Sequence, residues 1–584
     1  PDIDMDFDSR YRDEMIRYAA ERYGRDRVAQ IVTFSTIKAR AAVRDAARVL
    51  GKPYAVGDRV AKAMPPLVMG RDTPLYACLE EHPKYRDGYK MATDIRQMYA
   101  EDPDAREVID VAKGLEGLRR QDGIHAAAVV ITKEPLTEYL PIQRKPEAGQ
   151  DPEDAPVVTQ YEMHGVEDLG LLKMDFLGLR NLDVITDTLE LIKATEGIEV
   201  DIDNVPLDDE PTYELLRRGD TIGVFQLESP NMRALIRSLA PTTFEDVAAL
   251  VALYRPGPMG VNMHNDYADR KNGRQKVEYF HPDAEELLAD TYGLMIYQES
   301  VMRVAQHFGG YSLADADNLR KACGKKIREA MAKERAKFEA GVEATGYGRE
   351  LGRELFDIIE NFADYAFNKS HSYGYGFISY QTAYLKANHP AQYLAALLTS
   401  VKTNLEKAAV YLAECRNMGI EVVVPDVNAS FSDFTPVLPE DGKGPGRILF
   451  GLSAVRNVGE GLVEHIVHER EENGPYADFY DFCQRVNTQV LNKKTIESLI
   501  KAGSFDSLGH PRQGLLSVYE QIIDQTVARR KEHDMGVMSL FATDDGDGPA
   551  FDERIPIPDV DFDKKQRLVF EKEMLGLYVS DHPL

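Results

Sequence analysis

The chain opens on strict alternation: Asp2, Asp4 and Asp6 are interleaved with Ile3, Met5 and Phe7. Alternate side chains of a strand face opposite ways, so this spacing predicts a strand. Its three apolar residues turn to a core and its three acids line an open face. The same period returns at Leu171–Leu179. There Leu172, Met174 and Phe176 are predicted to point inward, with Lys173 and Asp175 sharing the opposite face. Between these stretches the pattern changes. Met15, Ile16, Ala19, Ala20 and Tyr23 recur at helical spacing, with Asp8 or Ser9 to cap the helix and Gly24 to stop it. Arg10, Arg12, Arg17 and Arg22 fall mostly on its other faces. Residues 34 to about 120 are predicted to be mostly helical, broken at Gly51-Lys52-Pro53 and Pro65-Pro66. Residues 121–179 turn to strands, Ala126–Thr132 being the clearest.

From about Asn181 helices dominate, with frequent Pro and Gly. Residues 419 to about 450 turn to strands around the loop Asp441–Gly446. A helical segment then opens at Val455-Arg456-Asn457-Val458-Gly459-Glu460-Gly461-Leu462. This pattern is that of a helix-hairpin-helix, in which Gly459 and Gly461 let backbone amides reach a DNA phosphate with no side chain in the way. A second half is expected at Leu491–Gly509, and a further helix through Tyr519–Lys531.

Two acids on one strand and a third on a neighbouring one repel unless positive charge lies between them. Hard carboxylate oxygens suit Mg2+, and a pair of such ions clamps the attacking and leaving oxygens of a phosphoryl transfer. Lys173 beside Asp175 would offset phosphate charge.

These stretches also resemble a known family. Pro1-Asp2-Ile3-Asp4-Met5-Asp6-Phe7, followed far downstream by Lys173-Met174-Asp175-Phe176-Leu177-Gly178-Leu179, is similar to the palm of the C family of bacterial replicative DNA polymerases. Further matches are Val224–Ser229, Tyr254-Arg255-Pro256-Gly257-Pro258, Tyr297-Gln298-Glu299, Phe367-Asn368-Lys369-Ser370-His371-Ser372 and Gly576–Pro583. The resemblance implies an α+β, multi-domain chain with a polymerase-β-like palm sheet, a large mostly helical thumb and fingers, and a helix-hairpin-helix segment. It implies palm at 1–33 and 121–180, thumb at 34–120, fingers at 181–450, helix-hairpin-helix at 451–510, and the start of a clamp-binding region at 511–584.

The family's site residues carry over one by one. Asp2, Asp4 and Asp175 would hold two Mg2+ ions, and Asp6 is the spare acid. Arg320, Lys321 and Lys325 would meet the triphosphate of a dNTP, with Lys173, Lys369 and His371 also at the nucleotide. Lys38, Arg40 and Arg44 are candidate contacts to primer-template DNA. Leu540 and Phe541 resemble a short peptide that docks on a sliding clamp, although Val537 stands where the family has Gln. A proofreading exonuclease and a clamp loader are the other implied partners. The family carries a phosphoesterase-like domain and a Gly-Ser phosphate-binding loop ahead of this point, so a chain beginning at Pro1 is expected to be a fragment. An error-prone branch of the same family, a two-metal structure-specific nuclease and a non-catalytic clamp-binding scaffold are the alternative readings.

Composition changes this picture in one respect. The net charge of −27 disfavours a simple nucleic-acid binder. A binding channel needs only a local excess, and Arg320–Glu339 holds eight Lys or Arg against three Glu. Four widely separated cysteines show no paired metal-ligand spacing. No apolar run is long enough for a bilayer, and no signal-peptide pattern is present. A reduced, cytoplasmic protein without a membrane partner is expected.

Overall fold

The alternation at the start of the chain builds the edge of a sheet. In the computed structural model, which describes residues 3–325, 328–363, 365–536 and 554–584, Ile3–Phe7 forms β1. Val28–Thr36 (β2), Arg119–Ile131 (β3), Ile142–Arg144 (β4), Val157–Thr159 (β5) and Lys173–Gly178 (β6) complete six strands in the order β1-β6-β3-β2-β5-β4. β1 runs parallel to β6, and β3 runs antiparallel to both β6 and β2. This sheet belongs to the first of two compact units, which divide at Arg180 and Asn181.

Phe7, Met174 and Phe176 turn inward as expected and pack with Met15, Ile16 and Ala19 of the helix Arg12–Tyr23. The Phe7 and Phe176 rings lie 5.1 Å apart. Two expectations need correction. Met5 stays 38% exposed, because β1 has a neighbour on one side only and little covers its outer end. Leu172 falls one residue before β6 and is 37% exposed. Arg12, on another face of this helix, is tucked in, its Nε donating to the Phe176 carbonyl at 2.6 Å. Gly24 ends the helix at φ +112°, a conformation that favours glycine.

The strand β2 runs on to Thr36, so the helical insertion begins at Ala39 rather than at residue 34. The helices Ala39–Val49, Tyr54–Ala63, Thr93–Glu101 and Pro103–Leu115 enclose a core of their own, built on Ala42, Val43, Val60, Ile95, Val108 and Ile109. Breaks fall at Gly51–Pro53 and Pro65-Pro66 as expected. His125 has a structural task. The pairing of β2 with β3 slips between Gln30 and Val32, and the His125 Nδ1 accepts the freed N–H groups of Ala127 (3.1 Å) and Ala128 (2.9 Å).

The second unit is mostly helical. One core gathers Leu216, Ile236, Leu250 and Tyr267, and a second gathers Val304, Phe308, Phe338 and Phe356. A third and larger one joins the helix Pro390–Ser400 to later residues such as Ile448, Phe482 and Leu499. The expected strands are present as a small sheet of Glu421–Val423 (β7), Thr435–Val437 (β8) and Arg447–Leu449 (β9), in the order β7-β9-β8. The helices Arg512–Asp534 and Lys564–Leu575 bury Leu515, Ile522, Met574 and Leu575 in the same core. Among the described residues no helix is long and apolar enough to cross a membrane.

Candidate active site and nucleic-acid interface

Asp4 and Asp175 are direct partners in the register of β1 and β6, and Ala128 of β3 continues the row. Paired residues of parallel strands project to the same face, and adjacent strands lie about 4.8 Å apart. Two carboxylates separated by more than 160 positions therefore stand side by side. Asp4 is exposed, while Asp175 is partly buried and takes an ion pair from the Lys173 Nζ at 3.3 Å. This hard-oxygen pair with one open member fits a divalent cation. Asp2, the third expected ligand, lies outside the described residues. Among those described, no group of three His, Cys, Asp or Glu is placed to hold a metal. A separate cleft of about 1360 Å³, lined by Arg12, Arg17, Arg25, Arg144 and several acids, touches neither Asp4 nor Asp175.

In the helical insertion Lys38 is exposed just before the helix Ala39–Val49. Arg40 donates to Asp72 (3.1 Å) and to the Pro65 carbonyl (3.0 Å), and Arg44 pairs with Asp58 at 3.1 Å. Lys62 and Arg44 together hold the Asp58 carboxyl below its ordinary range. Both arginines are thus already engaged by acids, which the sequence reading did not foresee. Both stay about two-fifths exposed, so such pairs are weak and exchangeable.

The second unit brings together two segments read separately from the sequence. Arg320 on the helix Leu313–Lys325 donates through Nε and a terminal nitrogen to one oxygen of Asp317, at 2.9 and 2.8 Å. Lys321 reaches the other Asp317 oxygen at 2.7 Å. Hydrogen bonds from Lys321 and Arg320 keep this carboxyl below its ordinary range. Another nitrogen of Arg320 approaches the Gln298 side chain at 3.5 Å. Lys325 ends the same helix, and its side chain lies outside the described set.

From Gln298 the network continues to the second segment. The Gln298 N–H donates to the Phe367 carbonyl at 2.9 Å and the Phe367 N–H to the Ile296 carbonyl at 3.0 Å. Glu299 accepts from the Asn368 amide at 3.1 Å and from the Lys369 N–H at 2.9 Å. The Lys369 Nζ sits 3.5 Å from Asp290 and about equally far from the Tyr297 and Tyr373 rings, at 5.6 and 5.5 Å. His371 is exposed, between the rings of Phe367 (5.1 Å) and Tyr375 (4.3 Å). Arg255 of the Tyr-Arg-Pro-Gly-Pro stretch lies over the Phe367 ring at 4.4 Å and donates to the Tyr365 carbonyl at 2.5 Å. Asp317 was missed by sequence reasoning, and Glu299 and Arg255, though they lie in stretches that resemble the family, were given no role in the site. Only Asp317 had a local signal, its spacing of three and four residues from Arg320 and Lys321 on a helix.

Gly459 is the N-cap residue of the helix Glu460–Asn473, and Gly461 lies in its first turn. Open space surrounds the Cβ position of both. The element before this hairpin is the short 3-10 turn Leu452–Ala454, not the α-helix expected. The second half is present as the helix Lys493–Ala502. It holds the hairpin through Asn457, whose side chain donates to Ser498 at 3.0 Å and whose carbonyl accepts from Thr495 at 3.2 Å. Leu540 and Phe541 lie outside the described residues, as does Val537.

Comparison with known proteins agrees with this layout. Residues 1–178 match the family described as bacterial DNA polymerase III alpha NTPase domain, and residues 181–346 match the finger domain of the same subunit. Residues 419–515 match a helix-hairpin-helix motif. Along its whole length the chain is 50% identical to a protein of Mycobacterium tuberculosis, 44% to one of Thermus aquaticus and 42% to one of Pseudomonas aeruginosa. These relatives are DNA polymerase III alpha subunits. The aligned segment covers 49%, 45% and 50% of them, so the chain spans about half the length of the curated relatives it matches. The break between the two alpha-subunit matches, after residue 178 and before 181, falls within two residues of the division between the structural units.

Proposed function

We propose that this chain is the catalytic part of a DNA-directed DNA polymerase of a bacterial replicase, working in the cytoplasm and adding dNTPs to a primer 3′-hydroxyl. The observation that carries the reading is the in-register pairing of Asp4 with Asp175 beside Lys173. Asp4 and Asp175, with Asp2, would hold two Mg2+ ions. Bound there, such ions supply an acidified primer hydroxyl and neutralise charge on the α-phosphate. Lys173 draws in phosphate and pairs with Asp175. Arg320, Lys321 and Lys325 take the triphosphate, while Lys369 and His371 serve the sugar and base. The backbone amides at Gly459 and Gly461, with Lys38, Arg40 and Arg44, meet the phosphates of the primer-template duplex. The test is template-directed primer extension with Mg2+ and dNTPs. Cleavage of the DNA without nucleotide addition would favour a nuclease instead.

Two expected outcomes refine the reading. Arg320→Ala and Lys321→Ala each raise the apparent KM for dNTP about tenfold, the effect of one charge-assisted hydrogen bond of about 1.5 kcal/mol. Primer-template affinity stays near normal, and titrations giving the reverse would make this cluster a DNA contact. The second concerns Leu540 and Phe541, which we propose insert into an apolar pocket of the sliding clamp. Their burial contributes at most roughly 1.5–3 kcal/mol each, so the isolated peptide binds weakly, and the ring on DNA supplies the effective concentration. Changing both to Ala shortens products made with loaded clamp and leaves clamp-free synthesis as it was. Equal product lengths with clamp would place docking elsewhere. The proofreading exonuclease and clamp loader are proposed partners on the strength of the family alone.

A further inference from the structure

The helix Lys369–Asn388 carries two of the residues assigned to the nucleotide, and at its N-terminal end Glu299 takes two donors, one from its cap and one from its first backbone N–H. Its Asn368 cap accepts the His371 N–H at 2.8 Å, which sets the direction of the first turn. The same Asn368 donates its side-chain amide to Glu299, and the Lys369 N–H, an orphan of the first turn, donates to the other Glu299 oxygen. Glu299 itself belongs to the first turn of the helix Gln298–Gly309, next to the residue that Arg320 approaches. The Glu299 side chain therefore joins the Lys369 and His371 end to the segment that borders the Arg320 and Lys321 cluster, beside the backbone bonds that Phe367 makes with Ile296 and Gln298.

From this geometry we infer that Glu299 is a positioning residue for the incoming nucleotide: it fixes Lys369 and His371 relative to the triphosphate cations and touches no substrate itself. The inference rests on the polymerase reading. A carboxylate suits the place because both its partners are donors, and each of its oxygens takes one of them. Gln can accept at one oxygen and must turn its own donor toward the other, so Glu299→Gln keeps half of the contact. Its negative charge also occupies the positive end of the helix Lys369–Asn388. The triphosphate is thereby left to Arg320, Lys321 and Lys325, and the Lys369 end to the sugar and base.

The experiment measures equilibrium binding of the correct dNTP to the whole chain on a primer-template whose primer ends in a dideoxynucleotide, so that no chemistry follows. Glu299→Ala weakens nucleotide binding about tenfold, the worth of one well-placed hydrogen bond, and Glu299→Gln falls between it and the parent. Duplex affinity and thermal midpoint stay close to the parent's in Glu299→Gln. In extension assays the loss appears in KM for dNTP rather than in kcat. A tightening of nucleotide binding would mean that the carboxylate only repels the triphosphate, and the role is overturned. Equal affinity in all three proteins, or a loss in Glu299→Gln matched by a fallen midpoint, overturns it as well. A parent chain that holds duplex and no nucleotide defeats the polymerase reading, and the inference with it.

Discussion

Replacing Asp4 or Asp175 by asparagine is expected to abolish primer extension while duplex binding persists. The two carboxylates are register partners on adjacent parallel strands, and Asn keeps their shape while removing the charge that holds a hard divalent cation. Ions at such a site supply several kcal/mol of transition-state stabilisation. Each 1.36 kcal/mol is tenfold in rate, so a loss of about 4 kcal/mol slows addition by about a thousandfold. Asp175→Asn also deprives Lys173 of its ion-pair partner at 3.3 Å, which adds a rise in KM for dNTP to the fall in kcat. Among the described residues Asp4 holds no such ion pair, so its loss falls on kcat. Asp6→Asn serves as the control, because Asp6 is opposite Leu177 rather than an acid. Its extension rate should remain within a few-fold of the parent's. Near-normal rates for Asp4→Asn or Asp175→Asn remove the two-metal assignment, and an equal loss at Asp6 shows that the wrong acids were paired.

The face of each acidic strand was legible because a period of two is local: Ile3 to Phe7 and Lys173 to Leu177 state it without help from the rest of the chain. Their register was not, since it depends on how β6 settles between β1 and β3. Met5 shows the same limit. Alternation says which way a side chain turns, but not whether anything waits to cover it at the edge of a sheet. The cation clusters divide likewise. Arg320 and Lys321 could be found by composition, and Asp317 by helical spacing. The engagement of Lys369 by Asp290 and Glu299 could not, because those contacts cross about seventy to eighty positions and arise only when distant elements meet. Glycines 459 and 461 were found from their pattern, since an open hairpin needs little beyond the absence of side chains. Before them stands a single 3-10 turn, Leu452–Ala454, where a helix-hairpin-helix would carry an α-helix.

Arg512→Ala is expected to be the most destabilising single change named here, lowering the stability of the second unit by about 3–5 kcal/mol. Arg512 is 5% exposed and Glu571 is fully buried, and they pair at 3.1 Å. Arg512 also grips Asp506 through two nitrogens, at 3.0 and 2.8 Å, while Glu571 accepts from the Ser580 N–H (2.9 Å) and hydroxyl (2.6 Å). The arginine thus binds three stretches: its own helix, the turn at Asp506, and the last helix with the tail beyond it. Among the described residues, truncation leaves the buried Glu571 carboxylate with Ser580 alone to satisfy it, and an uncompensated buried charge is what makes such losses large. The double change Arg512→Met with Glu571→Leu removes both charges and fills much of the space, so it should cost less than Arg512→Ala alone. Denaturant unfolding of the three proteins measures this, and a double variant as unstable as the single one would mean that packing, not charge, governs the site. A functional consequence follows from the position of Met574, whose carbonyl accepts the Arg456 N–H at 2.8 Å beside the glycine hairpin. Loosening the helix Lys564–Leu575 withdraws that support. Arg512→Ala should therefore also weaken duplex binding at temperatures where the unit is still folded, and the double variant should recover part of that affinity along with its stability.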